Sequence, residues 1–121
     1  MRNLQDELVV VTGGSRGLGL AIVEALVARR ARVTVVARDR ARLAKVERLG
    51  VRVRPGDATD AALMDAVIAD VKPSVLILNA GAIPFMAPID EQSWETFSTV
   101  WNTDVRAGLH GIQAALKGGK L

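Results

Sequence analysis

Thr12-Gly13-Gly14-Ser15-Arg16-Gly17-Leu18-Gly19 is the stretch on which the fold turns. An apolar run, Glu7-Leu8-Val9-Val10-Val11-Thr12, leads into it. Leu20-Ala21-Ile22-Val23-Glu24-Ala25-Leu26-Val27, apolar at helical spacing, leads out. The pattern is that of a strand, a glycine turn and a helix start. Gly13, Gly17 and Gly19 have no Cβ and accept positive φ, so the backbone there can lie against a ligand. The first-turn N–H groups of the helix then face an anion such as a pyrophosphate, and the helix dipole adds to the attraction. A P-loop is excluded, because Leu20 and Ala21 follow Gly19 where it would need Lys and Ser/Thr. The glycines also run G-x-x-x-G-x-G rather than G-x-G-x-x-G. An empty glycine-rich turn is the alternative, and the flanking strand and helix argue against it.

Length and composition narrow the class. A chain of 121 residues reads as one domain, 1–121, long enough to bury a modest core. Half its residues are hydrophobic, yet no apolar run approaches the roughly 20 residues of a membrane span. Met1-Arg2-Asn3-Leu4-Gln5-Asp6 lacks a signal peptide's apolar stretch, and there is no cysteine for a disulfide or a Cys-based metal site. A cytoplasmic protein without a bound metal is the expectation. The net charge is only +3, but residues 1–54 carry 12 Lys/Arg against 5 Asp/Glu and residues 55–121 carry 4 against 8. Such asymmetry can mark a nucleic-acid surface. Two Phe, two Trp and no Tyr leave few stacking platforms, and Arg40, Arg42, Lys45 and Arg48 read as a solvated helix face.

Outward from the glycine turn, strand and helix alternate. Leu8–Thr12 is a continuous apolar strand of the central parallel type. The helix over 17–30 is expected to place Leu18, Ile22 and Leu26 on one stripe, with Val23 and Val27 beside it. Arg32–Ala37 is a second strand. Asp39 caps a helix whose Leu43, Val46 and Leu49 face inward and which ends near Gly50. Val51–Arg54 alternates and reads as an edge strand. Thr59 or Asp60 caps a third helix with Leu63, Val67 and Val71 inward and Pro73 beyond its end. Ser74–Asn79 is expected to be a fourth strand, buried like the first. A loop over 80–89 follows, then a long helix over 91–117 capped by Asp90. That helix carries Trp94, Phe97, Val100, Trp101, Val105 and Leu109, with Gly108 and Gly111 as packing points. Gly118 and Gly119 end it, and Lys120-Leu121 reads as the first step of a fifth strand. His110, with no acid or nucleophile at local spacing, reads as a surface residue.

This alternation predicts an α/β fold with a parallel sheet, strand order 3-2-1-4, the first two helices on one face and the last two on the other. Ligands in such sheets bind at the carboxyl ends of the strands where the order reverses, here between strands 1 and 4. Thr12–Gly19 and Asn79-Ala80-Gly81 both emerge at that point.

Four signals in order then resemble the N-terminal, cofactor-binding portion of the short-chain dehydrogenase/reductase family. The resemblance runs from about residue 5 to the last helix and implies a Rossmann-like doubly wound fold. TGGSRGLG resembles the family's T-G-x-x-x-G-x-G cofactor loop. Asp57, in Gly56-Asp57-Ala58-Thr59, resembles the acidic residue that hydrogen-bonds adenine. Asn79-Ala80-Gly81 resembles the N-A-G that braces the cofactor site. Asn102, in Trp-Asn-Thr-Asp, is similar to the helix asparagine that holds a water of the proton relay. The resemblance implies a nicotinamide nucleotide as ligand, bound by Thr12, Gly13, Ser15, Arg16, Gly17, Leu18, Gly19, Ala37, Arg38, Asp57, Ala58, Asn79, Ala80 and Gly81.

Charge points to which nucleotide. An NAD site would place an acid at the end of strand 2 to bind the ribose 2′-hydroxyl. Ala37 stands there, followed by Arg38, and the glycine loop adds Arg16. Two guanidinium groups suit a 2′-phosphate, so NADP(H) is expected over NAD(H). Asp39 is the contrary residue, better used as a helix cap.

The family's chemistry is general-acid catalysis by a tyrosine, with a lysine four residues on and a serine on the preceding segment. This chain has no tyrosine, which leaves Asn102 as its one relay candidate. It therefore reads as part of an oxidoreductase acting on a carbonyl or alcohol, truncated before the catalytic segment and inactive alone. A short nucleotide-binding protein without hydride transfer, or an interaction module with an empty loop, remain open. The outer edge of strand 4 and the apolar last helix are expected to drive self-association or to require a second chain.

Overall fold

Why these residues make a layered structure is visible in its two cores. The computed structural model describes residues 3–119, so the expected strand start at Lys120-Leu121 lies outside the described residues. Four parallel strands, β1 (Leu8–Thr12), β2 (Arg32–Ala37), β3 (Arg52–Pro55) and β4 (Val75–Leu78), form one sheet in the order β3-β2-β1-β4. Val9 of β1 sits opposite Val33 of β2 and Val75 of β4. Successive side chains of a strand point to opposite faces. Val9, Val11, Val33 and Val35 accordingly pack against α1 (Gly17–Ala28) and α2 (Arg40–Glu47). Val10 and Val36 pack against α3 (Ala61–Val71) and α5 (Arg106–Gly118). Each fully buried valine contributes roughly 1.5–3 kcal/mol through loss of water contact. Among the described residues no helix is long and apolar enough to cross a membrane.

Local chemistry sets the boundaries. The Asp39 carboxylate accepts from Arg42 N at 3.0 Å and starts α2, while Asp60, rather than Thr59, accepts from Ala62 N and Leu63 N and starts α3. Lys72 closes α3 in the left-handed region, and Pro73 follows it.

Several expectations are corrected. The buried face of α1 is Gly19, Val23 and Leu26, and Leu18 is exposed, because Gly19 lies against the Gly13 carbonyl and fixes the helix's rotation. Leu49 is exposed, because α2 ends at Glu47 and the turn closed by Gly50 N to Glu47 O carries Leu49 outward. The long final helix is not continuous. Asp90 lies in a 3-10 turn (Ile89–Glu91), and the cap is Ser93, which with Thr96 forms a reciprocal capping box at the start of α4 (Trp94–Val100). A π turn (Trp101–Val105) joins α4 to α5. Strand β4 is not buried: Val75, Leu76 and Ile77 are half-covered and Leu78 is exposed. It is the sheet's edge among the described residues, and α5 covers it on one face. Gly111 is a packing point, since a Cβ there would meet Leu78 Cδ2 at 2.6 Å. Gly108 is not, since a Cβ there would meet nothing within 4 Å.

Candidate functional site

The glycine turn leaves β1 and enters α1, and its glycines serve different ends. Gly13 has φ +70° and Gly17 φ +55°, conformations that favour glycine. A Cβ on Gly13 would sit 2.7 Å from Ala80 Cα, and one on Gly19 would overlap the Gly13 carbonyl oxygen. These two let loops and helix close on one another. Gly17 meets nothing within 4 Å and leaves open space in front of α1. Arg16 precedes α1 in an extended conformation and makes no side-chain cap bond. The first-turn N–H groups, which have no intrahelical partners, are thus not capped by it and border the open cleft.

The end of β4 is bound to this turn. The buried Thr12 Oγ1 accepts from Asn79 N at 3.1 Å and from Ala80 N at 3.2 Å. Asn79 Nδ2 donates to the Gly13 carbonyl at 3.1 Å. Gly13 N in turn donates to the Val36 carbonyl at 2.8 Å. Three strand ends are thereby joined under one cleft of about 920 Å³. Ligand pockets commonly span roughly 300–1,000 Å³, so there is room for a dinucleotide.

At the β2 side the cleft is walled by Ala37, Arg38, Asp39 and Arg42, with Arg16 across from them. The Arg42 backbone N–H holds the Asp39 carboxyl below its usual range, with smaller help from the Arg42 and Arg16 charges. Arg42 Nε lies 3.5 Å from Asp39 Oδ2, so this acid is engaged by its own helix. Beside it, Asp57 Oδ1 accepts from Thr59 N at 2.9 Å and Thr59 Oγ1 at 2.8 Å. The Thr59 N–H is the largest cause holding Asp57 below the usual carboxylate range, ahead of the Thr59 hydroxyl and the charges of Arg38 and Arg106.

At the β4 side the wall is Ala82, Ile83 and Pro84 with Thr103 and Ala107. The candidates Gly13, Ser15, Arg16, Gly17, Leu18, Gly19, Ala37, Arg38, Asp57, Ala58, Asn79, Ala80 and Gly81 all border the cleft, and Thr12 lies beneath it. Asn102 does not border it. That residue is exposed, in the π turn, with Nδ2 3.4 Å from Ser98 Oγ. Two residues on, the half-buried Asp104 accepts from Ala82 N at 2.7 Å and holds the loop after β4. Sequence reasoning passed over Asp104, although a signal existed. Ala107, Gly111 and Ala114 form the small-residue stripe facing the sheet, and extending it back by three or four residues reaches Asp104 and Thr103, not Asn102. His110 is likewise not a free surface residue, because its Nδ1 is 2.8 Å from the Thr59 carbonyl. No cluster of three or more potential metal ligands occurs among the described residues.

Comparison with known proteins places this geometry. The family model for short chain dehydrogenase matches residues 7–118. A cis-2,3-dihydrobiphenyl-2,3-diol dehydrogenase of Pseudomonas putida is 34% identical over 93% of this chain and 45% of its own. The L-xylulose reductase of Bos taurus is 32% identical over 95% of this chain and 48% of its own. A crystal structure of a short chain dehydrogenase from Burkholderia cenocepacia in complex with NADP superposes with a TM-score of 0.79 at 29% identity, over 98% of this chain and 53% of that one. The chain thus spans about half the length of the relatives it matches.

Proposed function

The chain belongs to the short chain dehydrogenase family, and from that premise we propose that it is the NADP(H)-binding part of an oxidoreductase acting on an alcohol or carbonyl. The bound nucleotide supplies or accepts hydride; what this chain supplies is the seat. The first turn of α1 receives the pyrophosphate, with Gly17 leaving room for it. Asp57 and Ala58 flank the adenine. Asn79, Ala80 and Gly81 support the nicotinamide half. The relatives named as a diol dehydrogenase and a xylulose reductase support the substrate class.

One observation carries the cofactor preference. Ala37 ends β2 where an acid would bind a ribose hydroxyl, while Arg16, Arg38 and Arg42 border the same end of the cleft. Asp39, the one acid among them, is occupied by Arg42. The NADP held by the Burkholderia cenocepacia neighbour agrees with this reading. Arg38→Asp tests it: NADP⁺ affinity should fall about tenfold or more, as expected for loss of a charge-assisted contact, with NAD⁺ affinity little changed. Equal losses for both nucleotides in a titration would remove the 2′-phosphate clamp. A second reading, nucleotide binding without hydride transfer by this chain, is favoured by its lack of tyrosine. We also propose that the chain self-associates, or is met by a second chain, along the outer edge of β4 and the exposed apolar side of α4 and α5.

A further inference from the structure

The cleft is electrically lopsided. Its charged lining residues, Arg16, Arg38, Asp39, Arg42 and Asp57, all lie toward β2 and β3. On α5 Arg106 leans the same way, since its charge acts on Asp57. Toward β4 the charge is Asp104. Its Oδ1 accepts from Ala82 N at 2.7 Å, and a Cβ on Gly81 would lie 3.4 Å from its Oδ2. The carboxylate thus rests against the backbone of the loop that forms this wall.

General rules fix what lies at each end. A dinucleotide placed with its pyrophosphate on the first turn of α1 and its adenosine ribose at the end of β2 sends its nicotinamide toward β4. Nicotinamide is the one part of the cofactor whose charge changes with oxidation: the oxidised ring is a cation and the reduced ring is neutral. A fixed carboxylate behind this wall attracts the former and is indifferent to the latter.

We propose that Asp104 is a positioning residue with two separable effects: its hydrogen bond holds the wall at Ala82, and its charge biases the site toward the oxidised nucleotide. The proposal rests on the NADP(H)-binding reading. By linkage, a preference for the oxidised form lowers the reduction potential of the bound couple by the same free energy.

Asp104→Asn separates the effects, because the amide oxygen can still accept from Ala82 N while the charge is gone. Dissociation constants for NADP⁺ and NADPH, measured on the full chain, should show NADP⁺ weakened about threefold to tenfold and NADPH little changed. Asp104→Ala, which loses the bond as well, should weaken both nucleotides while raising the ratio of their constants by the same factor. A 2′-phosphorylated ADP-ribose, which has no nicotinamide, should bind the wild-type chain and the Asn variant equally. An unchanged NADP⁺/NADPH ratio in both variants overturns the charge effect and leaves the cofactor reading standing. Failure of the wild-type chain to bind either nucleotide overturns that reading and the inference with it.

Discussion

β1 and β2 on one side, and β4 with one face of α4 and α5 on the other, both present large apolar side chains, yet these meet very different surroundings. Val9, Val10, Val11, Val35 and Val36 are wholly out of water, with helices on both faces and a strand on each side. In the other region Leu78 is 39% exposed, Trp94 79% and Leu116 79%, and Trp101, Val105, Leu109 and Ile112 are exposed with them. The spacing of these side chains on α5 is helical, and the buried stripe is the opposite one, Ala107, Gly111 and Ala114. Apolar pattern alone therefore marks what a residue is suited to, while the neighbours present decide whether it is covered. The side of the cleft lined by the ends of β1 and β2 stands on the closed region, and the side lined by the loop after β4 on the open one.

The largest expected effect concerns what the open region lacks. Residues 1–121, purified, should show no NADP(H)-linked turnover of alcohols or carbonyls in a spectrophotometric assay, because no tyrosine is present to exchange the proton. Turnover by homogeneous protein would assign the proton to another group. A pair of glycine substitutions sets the regions against each other next. Gly19→Ala drives a methyl into the Gly13 carbonyl and the Asn79 amide and should cost about 1–3 kcal/mol in denaturant unfolding. Gly108→Ala meets open space in a helix interior and should stabilise by about 0.5–1 kcal/mol. Similar costs for both would erase the contrast.

Smaller in free energy, but direct, is the state of association. At high micromolar concentration the chain should sediment as more than a monomer, and Leu109→Lys with Leu116→Lys should return it to one. A compact wild-type monomer would mean that the open region tolerates its exposure. The smallest effect is at Asp57. Its folded carboxyl titrates below the usual value near 3.8, held there first by the Thr59 N–H. The ionised form is therefore favoured by folding, and its contribution is full above that value and lost as pH falls through the lower folded one. Asp57→Ala should accordingly lose more stability at pH 7 than at pH 3.

The sequence was most readable where each element's signal is local. A continuous valine run, glycines and an apolar helix phase sufficed for β1, the turn and α1, and the strand order followed from the rules of crossover. Reading failed where a partner or a register decides. β4 carries the side chains of a buried strand, but nothing in its own residues says how many neighbours it has. Asp90 and Ser93 are both good caps, and Thr96 three residues past Ser93 selects the latter by closing the box. The π turn at 101–105 inserts a residue into the helical phase, so counting on from the buried Ser98 along one unbroken helix reaches Asn102, whereas counting back from the buried Ala107 reaches Asp104 and Thr103.

Thr12, finally, has a consequence for how the site behaves as a mechanical part. Its hydroxyl and the Asn79 amide join segments that lie 66 to 68 residues apart in sequence, at the heart of the sheet. These bonds tie Gly13 and the end of β4 to the buried sheet, so displacing the base of the turn breaks contacts between β1 and β4. The base of the turn therefore shares the stability of the core, while the exposed Arg16, Gly17 and Leu18 are not held by these bonds. On the proposed reading, a nucleotide meets a turn whose base is already fixed, so less of its binding energy is consumed in ordering it.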